Sequence, residues 1–133
     1  MNNLRIRIGR LSYFILAILF TLCILAQIYL AGMAVFMSPV NWAKHIMFVH
    51  LFGFNLPVLM LIFAFVGALP RWAYWHLFGF LVSIFLMYFT ANIRAVIPWV
   101  GPMHAVFACI LFVLSSITVL KTWKIIFNKR KRD

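Results

Sequence analysis

Acidic residues are almost missing from this chain: Asp133, the last residue, is the only one, and glutamate does not occur. That removes the carboxylate pairs of acid–base hydrolysis and the intramembrane carboxylates that proton-coupled transporters rely on. No HExxH, GxSxG or phosphate-cradling glycine loop is present either. Ser115 and Ser116 have no histidine close in sequence and fall about three helical turns from His104. These absences lean against an enzyme. Cysteine is also sparse. Cys23 and Cys109 both fall inside apolar runs, where a free thiol behaves as a small hydrophobe. Without CxxC or CxxCH, neither a redox dithiol nor covalent haem attachment is available.

Charge is scarce as well. Charged residues make up 10% of the 133 residues, where a soluble domain carries roughly a quarter. Hydrophobic residues reach 67% and the mean hydropathy is +1.09. Such a chain cannot cover itself with polar surface, so its expected solvent is lipid. Four apolar runs are long enough to cross a bilayer, which takes about 20 residues of helix. They cover residues 11–33, 46–69, 72–93 and 100–120, followed by a basic tail over 121–133. The first is longer than a signal-peptide core and no A-x-A site follows it, so it reads as a retained span. Short gaps make neighbours antiparallel. The expected fold is an all-α, integral membrane, four-helix up-down-up-down bundle forming one domain.

The cations orient it. An even number of spans puts both termini and the gap between spans two and three on one side. That side carries Arg5, Arg7, Arg10, Arg71, Lys121, Lys124, Lys129, Arg130, Lys131 and Arg132; the other carries only Lys44 and Arg94. By the positive-inside rule both termini are cytoplasmic, in the cell membrane. Trp42, Trp72, Trp75, Trp99 and Trp123 fall near span ends, as an interfacial belt does. The net charge of +11 therefore reads as topology signal and contact with anionic lipid rather than as a nucleic-acid surface, because no basic–aromatic reader motif accompanies it.

Two histidines then stand out. His50 and His104 each fall about four residues into a span that starts at the outer face, roughly 6 Å below it. Spans two and four are diagonal in such a bundle, so the two imidazoles are expected to face each other and grip a haem iron from both sides. With no carboxylate or thiolate beside them, haem iron suits the pair better than tetrahedral zinc. Gln27, in "AQIYLAG", belongs near the same depth, and Gly32 beside it would let a macrocycle approach the backbone. Lys44 and Arg94, the only outer cations, are placed to meet haem propionates. Phe48, Phe52, Phe54 and Phe107 offer apolar walls. His45, five residues before His50, stands as a substitute ligand or part of a solvent path. His76, at the cytoplasmic end of span three, reads as interfacial. The bland alternative is that these histidines, Gln27 and Asn55 only hydrogen-bond neighbouring helices.

The "AQIYLAG" pattern, with histidine early in spans two and four, resembles one half of haem A synthase, and the outline resembles small four-span bacterial membrane proteins. The likeness extends over about 110 residues. It implies that His50 and His104 are axial ligands and Gln27 a pocket residue. It does not imply the synthase reaction, since that enzyme uses a glutamate and this chain has none. The expected function is a membrane haem b-binding protein for electron transfer, with quinone or a protein as redox partner, or for haem handling. The alternative is a cofactor-free accessory subunit of a membrane complex. The spans carry few small-xxx-small faces, so a homo-oligomer has no motif to announce it.

Overall fold

The computed structural model describes residues 3–128. Lys129, Arg130, Lys131, Arg132 and Asp133, from the expected basic tail, lie outside the described residues. Within them the chain forms α1 (Asn3–Phe36), α2 (Asn41–Phe52), α3 (Asn55–Val66), α4 (Arg71–Ile93), a 3-10 turn (Pro98–Val100) and α5 (Met103–Phe127). Four helical stretches are long and apolar enough to cross a membrane: Asn3–Phe36, Asn41–Val66, Arg71–Ile93 and Pro98–Phe127. The all-helical expectation and the four apolar runs agree with this architecture.

The helices overrun the apolar runs. α1 starts eight residues before residue 11 and α5 continues to Phe127. Arginine, lysine and leucine are good helix formers, so backbone hydrogen bonding continues where hydropathy falls. Prolines punctuate the turns: Pro39 follows α1, Pro70 precedes α4 with an extended backbone (ψ 164°), and Pro98 and Pro102 shape the connection into α5.

Span two is broken at Gly53–Phe54. Pro57 has no N–H for the Gly53 carbonyl and its ring crowds that turn, which divides α2 from α3. Asn55 repairs part of the damage: its Nδ2 donates to the Leu51 carbonyl at 2.7 Å. Asn55 thus satisfies the backbone of its own kink, whereas the sequence suggested a link to another helix.

The start of α1 meets the end of α3, and its other end meets the start of α2. α5 lies antiparallel to both α1 and α4, with Phe14 of α1 against Trp123 and Phe127 of α5. α1 packs on α2, α3 and α5, while α4 packs on α5 and α3, so α1 is diagonal to α4 and α2 is diagonal to α5. Phe20 and Phe80 meet across the first diagonal, 4.9 Å between ring centroids. Tyr13, Met60 and the alanines Ala17, Ala64 and Ala73 fill the space around them.

Small polar side chains are buried beside the apolar core, and many large apolar ones face outward. Gln27, Ser83, Thr90, Ser115, Thr118 and Thr122 are buried, while Ile15, Phe36, Phe65, Phe85 and Trp99 are exposed. Water would favour the reverse, whereas apolar surroundings drive small and polar groups to the helix contacts. The hydroxyls of Thr90, Ser115, Thr118 and Thr122 bond to carbonyls of their own helices, whereas the buried Tyr13 hydroxyl has no partner among the described residues. Thr118 donates to Leu114 O at 2.8 Å and Thr122 to Thr118 O at 2.7 Å.

One close approach fixes how the termini end of the bundle closes. A Cβ added to Gly9 would fall 2.3 Å from Gly67 N, so α1 and the end of α3 touch backbone to backbone. Arg10 Nε donates to Gly67 O at 3.0 Å and caps that end. The turn after α3 is a Schellman motif, with Leu69 N donating to Ala64 O (3.0 Å) and Ala68 N to Phe65 O (3.1 Å). Its left-handed position, normally glycine, is taken by Ala68 at φ 44°. The glycine stands one residue earlier, where the contact with α1 requires it.

Candidate functional site

The far end of the bundle, opposite the termini, gathers Gln27, His45 and His104. Gln27, near the end of α1, is buried. Its Nε2 donates to His45 O at 2.8 Å, and His45 Nδ1 donates to Gln27 O at 3.0 Å. This reciprocal clasp ties the first turn of α2 to α1. Across the bundle, His104 in the first turn of α5 donates from Nδ1 to Met87 O at 2.9 Å and so ties α5 to α4. The His45 and His104 rings are 6.3 Å apart between centroids, at an interplanar angle of 54°.

The hydrogen bonds define the tautomers. A carbonyl oxygen only accepts, so Nδ1 donates in both rings, and in the neutral form of each the lone pair falls on Nε2. Metal-binding histidines are held in this way, with one ring nitrogen donating to a carbonyl or carboxylate and the other left for the metal. Gln27 Oε1 is buried with no hydrogen-bond partner among the described residues. Trp42 packs edge-on against His45, 5.5 Å between centroids, and closes one side.

His50 is not in this group, which corrects the expected His50–His104 pairing. Its ring is exposed. It stacks on Tyr88 at 5.4 Å and shares a 3.1 Å hydrogen bond between Nδ1 and the Tyr88 hydroxyl. Phe54 stacks on the same tyrosine, 5.8 Å away and within 10° of parallel. His50 and Phe54 thus clasp span two to α4. The physical reason for the change is the start of the helix. α2 begins at Asn41, five residues before the apolar run, so His45 occupies the first turn, at the depth that the sequence reading assigned to His50.

The other expected site residues divide. Gln27 is in the site, but bonded to His45 rather than to His50 or His104. Gly32 is apart from the site. A Cβ there would meet nothing within 4 Å, and the residue lines a shallow groove on α1 with Tyr29 and Met37. The backbone at Gly32 faces open space. Lys44 and Arg94 are both exposed at the far end. Phe48 and Phe52 pack on each other at 4.9 Å, and Phe52 reaches the core at Phe20, so they wall the core rather than the His45–His104 gap.

His76 lies near the opposite end. The Thr118 hydroxyl already donates to Leu114 O, so His76 Nδ1 donates to Thr118 Oγ1, at 2.7 Å. Trp72 flanks the ring at 5.1 Å, and Lys121 Nζ is 4.9 Å from the Trp72 centroid. This is a cation–π and hydrogen-bonded seam between α4 and α5.

Among the described residues, no group of three or more His, Cys, Asp or Glu comes together to hold a metal ion. The chemistry on offer at the far end is therefore two neutral imidazoles and an amide oxygen. That is too few for tetrahedral zinc.

Residues 27–93 match the model of a family of unknown function, DUF6220. No curated protein and no solved structure matches the chain. The family match spans just over half of the 133 residues and includes Gln27 and His45. The chain belongs to that family.

Proposed function

We propose that this DUF6220 member is a multi-pass protein of the cell membrane that binds haem b through His45 and His104 near the outer face. Four apolar helices and an exterior rich in Leu, Ile and Phe support the membrane placement. Among the described residues Arg5, Arg7, Arg10, Arg71, Lys121 and Lys124 lie toward the termini end, against Lys44 and Arg94 at the other, which supports cytoplasmic termini.

The observation that carries the haem reading is the His45–His104 pair. The two rings come from different spans and lie 6.3 Å apart between centroids, close enough for both to reach one metal ion. Both rings present Nε2 as the lone-pair nitrogen, and the unpartnered Gln27 Oε1 leaves an acceptor for a ligand or water beside them. His45 and His104 would hold the iron of a haem through Nε2, and the group would supply one-electron transfer, with a quinone or a protein as partner. The chain's own residues do the positioning. Gln27 and the Met87 carbonyl hold the two rings in one tautomer, and Lys44 and Arg94 stand at the same end as counter-charges for propionates.

A second reading has its own observation. All four histidines hydrogen-bond a neighbouring helix, which is what a cofactor-free scaffold subunit needs. A reduced-minus-oxidised visible spectrum separates the two readings, taken on protein purified from haem-supplemented cells. Haem binding gives a Soret band that shifts on reduction, with sharp low-spin bands. A colourless preparation favours the scaffold.

A further inference from the structure

We propose that the groove between the first turns of α1 and the last turns of α5 is a binding site for an anionic phospholipid. The groove has a volume of about 720 Å³, within the roughly 300–1,000 Å³ of small-molecule sites. Among the described residues its lining joins Arg7 and Arg10 to apolar side chains that include Leu4, Leu11, Ile126 and Phe127. Arg7 and Arg10 are three residues apart, on one face of α1. Arg10 is half-buried and anchored through Nε to Gly67 O, which leaves its two terminal nitrogens to donate elsewhere.

Among the described residues no carboxylate stands near these guanidiniums, because the one acidic residue of the sequence, Asp133, lies outside them. A phosphate takes up two or more arginine N–H groups in charge-assisted hydrogen bonds. Basic pockets between membrane helices on the cytoplasmic side hold anionic headgroups in this way. The apolar remainder of the groove suits an acyl chain lying along Leu4, Leu11 and Ile126, so the occupant is the whole lipid rather than free phosphate.

This inference rests on the membrane placement proposed above and not on haem. The test is native mass spectrometry of the full-length protein from micelles containing equal phosphatidylglycerol and phosphatidylcholine. The wild type retains phosphatidylglycerol preferentially. Arg7→Gln, at an exposed position and without effect on the melting curve, lowers that preference about fivefold. Ile126→Trp, which fills the groove and keeps the cations, lowers it too, whereas Arg71→Gln leaves it intact. No headgroup preference in the wild type, or an unchanged preference in Arg7→Gln, overturns the proposal. So does a preference abolished by glutamines at 129–132 and kept in Arg7→Gln, because the basic tail is then the site. A protein released from carbonate-washed membranes overturns the membrane placement as well. Lost selectivity in a membrane-retained protein overturns the groove alone.

Discussion

Gln27 and His45 hold each other by two opposed hydrogen bonds, each running from a side chain to the other residue's carbonyl, at 2.8 and 3.0 Å. The clasp does two things at once. It closes α1 on α2, and it commits the His45 ring to the tautomer with its lone pair on Nε2.

Replacing Gln27 tests the clasp. Gln27→Leu keeps the bulk, removes the donor to His45 O and removes the orphaned Oε1. A side-chain hydrogen bond between membrane helices is worth about 0.6–1.7 kcal/mol. The expected loss of stability in micelles is of that size, with haem retained less tightly and still ligated by two imidazoles. A melting curve and a haem off-rate measure both effects.

The Gly9–Gly67 contact makes a second prediction. Gly9→Ala forces a Cβ into the α3 backbone and is expected to destabilise by about 1–3 kcal/mol. Ala68→Gly relieves the left-handed alanine and is expected to stabilise by up to about 1 kcal/mol. Opposite shifts of the melting temperature for substitutions at the helix contact and at the turn beside it are the signature to look for.

The stack of the exposed His50 on Tyr88 fastens span two to α4. His50→Ala and Tyr88→Phe are each expected to cost less than about 1 kcal/mol, as exposed polar contacts do. Neither is expected to alter a haem spectrum. Difference spectra recorded beside the melting curves check this.

Orientation is open to direct labelling. In a background with Cys23→Ala and Cys109→Ala, Ser38→Cys in the α1–α2 turn is expected to react with a membrane-impermeant maleimide in intact cells. Leu4→Cys is expected to react only after permeabilisation. The reversed pattern would place the termini outside.

The sequence made the number of apolar spans and their rough positions legible, because a run of about 20 apolar residues has few other uses. It gave less away about their ends. Hydropathy marks where lipid contact stops, whereas α1 and α5 continue on backbone hydrogen bonding through arginines and lysines. That difference displaced the histidine pairing. Counting depth from Ile46 selected His50, and counting from Asn41, just after the Ser38-Pro39 turn, selects His45. The break at Gly53 was readable in Pro57, four residues on, had it been weighed against hydropathy. The Gly9–Gly67 contact was not readable, because the two glycines are far apart in sequence and match no spacing motif on one helix. Tyr88 as the partner of His50, and Thr118 as that of His76, depend on how neighbouring helices are rotated, which span lengths do not encode.

The most direct measurement is a haem titration of the apoprotein, followed in the Soret region for the wild type, His45→Ala, His104→Ala and His50→Ala. Saturable low-spin binding in the wild type and in His50→Ala, lost in His45→Ala and in His104→Ala, is the predicted result. Unchanged low-spin binding in either His45→Ala or His104→Ala, or none in the wild type, would contradict the account.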